Sequence, residues 1–290
     1  MNRRGVLVAS LLGAAIAAAW GLPEQAEAAD RPKTVLGQKP PGLIPVRFAP
    51  GHVGTDHLEV MGALHPNMTE FFFVRQVLGE PSKHWSIRLE DGRWQDPVEQ
   101  THDEAVFVSR DGQTMFLGNR VRQQTANGWS APKSLGPMFE PYSIMRLTSS
   151  ASETYVFDEA DDVGTIRFSR LVNGQRQRPE AFGQQINSGT FTAHPFIAPD
   201  ESYLIWDSER ADGFGGSDLY VSFREPDGSW GDAINLGGDV NSSEEDAFGS
   251  VTSDGRFFFF HRVKLDRENP ENSTANIFWV DARVIHALRP

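Results

Sequence analysis

"WDSERADGFGGSDLYVS" (residues 206–222) decides how the rest of the chain is read. Two stretches with apolar residues at alternate positions flank a glycine-rich break, DGFGG (212–216). A phosphate loop would lead from a strand into a helix N-terminus, whose free N–H groups meet the anion, often with a lysine beside it. Here the break leads into SDLYVSF, which alternates again and carries no lysine. It reads as the loop of a β-hairpin, with glycines that permit positive φ at the turn.

Outward from this hairpin the same grammar recurs. AHPFIAPDESYLIWD (193–207), DAFGSVTSDGRFFFFHR (246–262), DEAVFVSRDGQTMFLGNR (103–120) and LEVMGALHPNMTEFFFVR (58–75) each give an apolar strand, an Asp- or Asn-centred turn and a second strand. YSIMRLTSSASETYVFD (142–158) is a looser copy with a serine-rich turn. A second mark follows in DGRWQDP (91–97), NGWSAP (127–132), NGQRQRP (173–179) and DGSWGDA (227–233). It sets Trp94, Trp129 and Trp230 at equivalent points, with Arg176 in the third copy. Past the N-terminal segment no 3.6-residue period is sustained, while two-residue alternation broken by Gly, Asp and Asn is general.

Four antiparallel strands recurring every ~40–55 residues mark a β-propeller blade. The expected fold is therefore all-β: a five-bladed β-propeller of four-stranded antiparallel blades, over residues 57–100, 101–140, 141–191, 192–244 and 245–290. The fifth copy has a third strand at ANIFWVD (275–281) but no clear fourth. IPVRFAPGHVGTD (44–56) resembles the passage AINLGGDVNSSEED (233–246) between the fourth and fifth copies. A strand within 44–50 is therefore expected to complete the last blade, which would bury edges that an open ring exposes. The runs FFFV (71–74) and FFFF (257–260) fit second strands covered on both faces.

The first 28 residues carry Arg3 and Arg4, an apolar run from Val6 to Trp20, and Ala26-Glu27-Ala28. That is the layout of a cleaved signal peptide. NRRGVLV also partly resembles a twin-arginine export signal. The expected product is periplasmic or secreted, with 29–42 as a linker and no stable membrane insertion once the signal is gone. The formal net charge of −12 opposes a nucleic-acid partner. With no cysteine, thiolate catalysis, thiolate metal sites and disulfides are all excluded.

Residues 194–260, with their P-D and S-D-G turns, S-x-R, G-G-x-D-L-Y strand and D-G-S-W turn, resemble the WD40-like propeller repeats of TolB-type proteins. Residues 43–193 resemble them more loosely. The resemblance implies an exported propeller. It leaves the activity open, because such blades serve as binding platforms, accessory domains and sugar-lyase scaffolds.

In a propeller the first strand of each blade lines the axis, so residues leading into those strands converge. Eight positions before each turn stand Glu59, Asp103, Tyr142, Thr192 and Asp246, with His57, His102, Glu104, His194 and Glu245 beside them. Arg75, Arg120, Arg210 and Arg262 follow second strands and are expected in loops on that same face. One reading makes the acids and arginines structural stitches. Another makes the face a binding or scaffolding surface for a periplasmic or cell-envelope protein or a glycan. Arg75, Arg120, Arg210, Arg262, Asp212, Asp218, Glu244 and Glu245 would supply its contacts. A third is a carbohydrate-active enzyme, a glycoside hydrolase or a metal-assisted uronate lyase, with Glu59, Asp103, Asp246, His102 and His194 as catalytic groups. His57, Glu59, His102, Asp103 and His194 are the ligands a divalent cation (Ca²⁺, Mn²⁺ or Zn²⁺) would take.

Overall fold

A computed structural model describes residues 34–102 and 105–290. Over these residues the regular structure is nearly all β-strand, with one 3₁₀ turn at Pro270–Asn272 and one short helix, Arg283–His286. The signal segment 1–28 and the Asp103–Glu104 pair lie outside the described residues.

The strands form successive antiparallel meanders, each running outward from a first strand. The first meander is Leu58–Leu64, Glu70–Gln76, Lys83–Glu90 and Val98–Glu99. The second is Val106–Val108, Thr114–Leu117, Arg120–Thr125 and Lys133–Ser134. The third is Ile144–Ser149, Tyr155–Glu159, Thr165–Ser169 and Glu180–Ala181, and the fourth Phe191–Ile197, Tyr203–Glu209, Ser217–Phe223 and Ile234–Asn235. In the fifth, Glu245–Val251, Phe257–Lys264 and Thr274–Asp281 are joined by Val46–Arg47, which pairs antiparallel with the last of them at Val46–Trp279 and Arg47–Phe278. The N-terminal strand thus stands where the sequence places it. Phe48, just beyond it, is fully buried among Phe71, Phe259 and Trp279.

The first strands sit around one axis. Each packs beside the first strand of the next meander, and the fifth beside the first. A cavity of about 40 Å³ is lined by Leu64, Phe107, Ser149, Phe196 and Val251, one residue near the end of every first strand. Among the described residues the sheets stay separate except for one parallel bridge, Leu58 to Ala275, between the first and fifth meanders.

Between neighbouring meanders the apolar faces pack into clusters. The largest couples the fourth and fifth through Phe196, Ile205, Val221, Phe258 and Val280. Second strands are covered on both sides, which is why Phe71–Val74 and Phe257–Phe260 are unbroken apolar runs. The looser third copy is a complete meander, with Arg176 standing 3.6 Å over the Tyr155 ring. The shortest first and second strands belong to the second meander instead.

Two expectations change. Val35 and Leu36 are buried in the cluster that also holds Phe48 and Trp279, so the segment expected as a linker over 29–42 contributes to the core. The break 212–216 is indeed a hairpin loop, with Glu209 opposite Ser217, but Gly213, Gly215 and Gly216 are absent from the positive-φ residues. Their smallness serves close approach. A Cβ on Gly215 would stand 2.1 Å from the Glu244 carbonyl oxygen, and the Gly216 N–H donates to that same oxygen at 3.0 Å. The lead-in of the fifth meander lies directly against this loop.

Candidate functional site

The first strands of four meanders are interrupted by a register shift, between Val60 and Ala63, Ile144 and Leu147, Ala193 and Phe196, and Ala247 and Ser250. Such bulges re-aim a side chain and free a backbone N–H from the ladder. In three of them a non-glycine residue takes positive φ: Met61 at 57°, His194 at 51° and Phe248 at 63°. Strain of this kind persists only where surrounding contacts hold it.

The contacts that hold it follow one rule. The freed N–H donates to a side chain on the second strand of the preceding meander. His194 N–H donates to Asp158 Oδ2 at 2.7 Å, Phe248 N–H to Asp207 Oδ1 at 2.9 Å, and Met61 N–H to His261 Nδ1 at 3.2 Å. The last of these joins the fifth meander to the first. Asp158, Asp207 and His261 occupy the same repeat position, in YVFD, LIWD and FFFFH. Sequence reasoning missed them, although the shared position was the available signal.

These groups surround a buried guanidinium. Arg146 is 1 % exposed. Its Nη1 donates to the carbonyls of His194 (3.1 Å) and Gly249 (2.9 Å), and its Cζ lies 3.9 Å over the Phe248 ring. Its own N–H donates to Asp158 Oδ1 at 2.7 Å. Burial lowers its pKa to about 10, against the opposing pull of Asp158 and Asp207, so it stays cationic at neutral pH. Burial raises the pKa of Asp158.

His194 Nδ1 lies 3.0 Å from Asp207 Oδ1. Burial opposes its charged form, but Asp207, bonded to it, and Asp158 nearby bring its pKa above the ordinary value. His261 is pushed down to about 3 by burial and by His194, and is neutral. The result is a buried polar cluster in which one imidazole is held by a carboxylate and another acts as a neutral acceptor.

The predicted residues fall into distinct settings. Glu59 is fully buried, bonded to Arg75 Nε at 2.9 Å and to the N–H of Thr55 at 3.2 Å. Asp246 is also fully buried, bonded to Arg262 Nε at 2.7 Å and to Ser242 N–H and Oγ at 2.7 Å each. Arg75 and Arg262 lie within second strands, directly across from these acids, and not in the loops where they were expected. Thr192 takes the corresponding place in the fourth meander and meets Ser208. Asp218 is buried and closes the hairpin loop by accepting from Phe214 and Gly215 N–H and the Asn235 amide.

Other predicted groups lie nearer solvent. Asp212, His57 and Arg120 are exposed, and Glu244 and Glu245 half-buried. Burial and the nearby Glu209 raise the pKa of Glu245. Arg210 lies 4.2 Å over the Tyr220 ring. The His102 ring stands edge-on to His84, centroids 4.9 Å apart. Among the described residues no group of three or more His, Asp or Glu is arranged to hold a metal ion. No described helix is long and apolar enough to cross a membrane.

No family model and no curated protein matches the chain. Solved structures with a similar path include TolB from Acinetobacter baumannii, at 11 % identity and TM-score 0.46 over 78 % of this chain and 57 % of that one. The Pseudomonas aeruginosa periplasmic gluconolactonase shows 12 % identity and TM-score 0.42 over 72 % and 66 %. The catalytic domain of a Coprinopsis cinerea GH62 α-L-arabinofuranosidase shows 11 % and 0.45 over 82 % and 94 %. The chain thus spans little more than half the length of the TolB structure. Likeness of this degree carries no argument about what is bound or turned over.

Proposed function

We propose that the protein is an exported five-bladed β-propeller of the WD40-like TolB type. On this reading it binds a periplasmic or cell-envelope protein or a glycan at the lead-in face without turning it over. The observation that supports binding over turnover is the state of Glu59 and Asp246. Both are fully buried, and each carboxylate is bonded to an arginine across the strand pair and to a lead-in N–H. A glycosidase needs one carboxyl to give a proton to the leaving oxygen and another to reach the sugar or its water. Carboxylates engaged in this way suit stitches. The groups with access to solvent on this face, Asp212, Glu244, Glu245 and Arg210, suit contacts.

One observation favours the second reading, a glycoside hydrolase or uronate lyase. His194, with a side chain 18 % exposed, is held by Asp207 as a general base would be. In the lyase version a divalent cation would be held by some of His57, Glu59, His102, Asp103 and His194, and would acidify the proton next to the uronate carboxylate.

Release of reducing or unsaturated ends from neutral and acidic oligosaccharides distinguishes the readings. The binding reading expects blank-level release from the wild type, with and without Ca²⁺, Mn²⁺ or Zn²⁺. Turnover that disappears in His194→Ala or Asp246→Asn would replace it with the enzyme.

A further inference from the structure

The other end of the axis, where the turns between first and second strands gather, is less regular. The five turns place Pro66, Arg110, Ala151, Pro199 and Ser253 at one repeat position. Pro66, Arg110, Pro199 and Ser253 all border the axial cavity at this end. Four of the five residues are small or cyclic, and only the second meander presents a long cation. The Arg110 guanidinium forms no hydrogen bond or ion pair with any described residue. Its neighbour Asp111 is engaged in the turn, accepting from Ser109 Oγ at 2.6 Å and Gln113 N–H at 3.0 Å.

Arg110 also lines two larger clefts. One, of about 510 Å³, lies between the first and second meanders; the other, of about 460 Å³, lies between the second and third. Both fall within the range of ligand-binding clefts. In the first cleft the other charged pair is satisfied, with Arg88 Nε 2.8 Å from Glu70. Burial lowers the pKa of His65, against the opposing pull of Asn67 and Glu70. Gln113 and Gln124 add amides suited to hydroxyl groups.

Trp129 supplies an aromatic plane there. Its inner side packs on the cluster of Phe72, Val106, Val108, Met115 and Leu117. The equivalent Trp230 is covered by Arg224, 5.3 Å from its ring, whereas no guanidinium of a described residue lies over Trp129. An aromatic plane, neutral amides and one unpaired arginine together fit a sugar chain that carries a carboxylate. A guanidinium meets that group through two parallel hydrogen bonds. A densely charged polyanion fits poorly, because the chain as a whole carries −12.

We infer that the clefts flanking the second meander's turn bind an acidic oligosaccharide, with Arg110 taking a sugar carboxylate and Trp129 stacking on a sugar ring. This site lies on the opposite face from the lead-in rim, so its failure leaves the reading above standing. The test is calorimetric titration of the purified protein with a β-1,4-linked trisaccharide that carries a single glucuronate and with cellotriose, its neutral counterpart. The acidic trisaccharide is expected to bind at least tenfold more tightly. Arg110→Ala, which installs the residue that the third meander carries at this position, is expected to remove that preference without changing the melting temperature. Trp129→Phe is expected to weaken both ligands by a similar factor. Equal affinity for the two trisaccharides, an undiminished preference in Arg110→Ala, or no binding of either one would overturn the assignment.

Discussion

The third, fourth and fifth meanders and the second are built to the same strand plan but differ in the balance of polar and apolar contacts that hold them. In the first group, buried carboxylates and a neutral imidazole reach from one meander to the bulge N–H of the next, around a buried Arg146. The second meander has inner strands of three and four residues, apolar contacts on both sides, and a cleft on each flank. It has a polar link to the third through Asn119, which accepts from Ile144 N–H and donates to the Phe139 and Tyr142 carbonyls. Buried polar pairs fix geometry tightly, because each unmade bond leaves a desolvated group behind. Apolar contacts between short strands tolerate separation. The comparison assigns stability to one part of the fold and room for a ligand to the other.

The largest effect is expected where the polar connections meet. Asp207→Ala removes the acceptor for Phe248 N–H and the partner of His194, and leaves Arg146 with less compensation. Urea unfolding at pH 7 should show a loss of about 3–5 kcal/mol. In the second meander, Met115→Ala should cost only about 2 kcal/mol, the low end for such truncations, because a meander flanked by clefts can close on the space. A greater loss for Met115→Ala than for Asp207→Ala would reverse the comparison.

The pH dependence sharpens it. The unfolded state protonates His261 near pH 6.5, while the folded state holds that imidazole neutral down to about 3. Stability should therefore fall as pH drops through this window, by at most about 1.4 kcal/mol per unit. His194 acts in the opposite sense. Its raised folded pKa stabilises fully below 6.5, and that contribution is lost as pH rises through the folded value. His261→Gln, which keeps an acceptor for Met61 N–H, should flatten the acid limb, and Asp207→Asn the alkaline one, in melting temperatures recorded from pH 4 to 9. The smallest stability effect belongs to Arg110→Ala, at an exposed turn position: a change within about 0.5 kcal/mol.

Much of this arrangement could be read from the sequence. The alternation around DGFGG identified a hairpin, the recurring turns identified the meanders, and the likeness of 44–56 to 233–246 located the strand that completes the fifth. Eight positions before each turn, Glu59 and Asp246 do stand at equivalent places. Their partners Arg75 and Arg262 are cross-strand neighbours, a pairing that only the strand register reveals. Arg146 was not legible, because a guanidinium is rarely buried, and its burial depends on carbonyls 48 and 103 residues further along the chain. The burial of Val35 and Leu36 was hidden for a similar reason: their partners Phe259 and Trp279 lie at the far end of the sequence. Gly215 looked like a turn glycine, because the carbonyl that excludes a Cβ there belongs to the next meander.

Hydrogen exchange of the backbone amides, resolved by residue under native conditions, bears most directly on the contrast between the two parts. Amides of His194, Phe248 and Met61, which donate to side chains of the preceding meander, should exchange only through global unfolding, while Phe116 and Val121 in the second meander should exchange through a local opening of lower free energy. Equal protection at all five positions, or rapid exchange at Met61, would contradict the account.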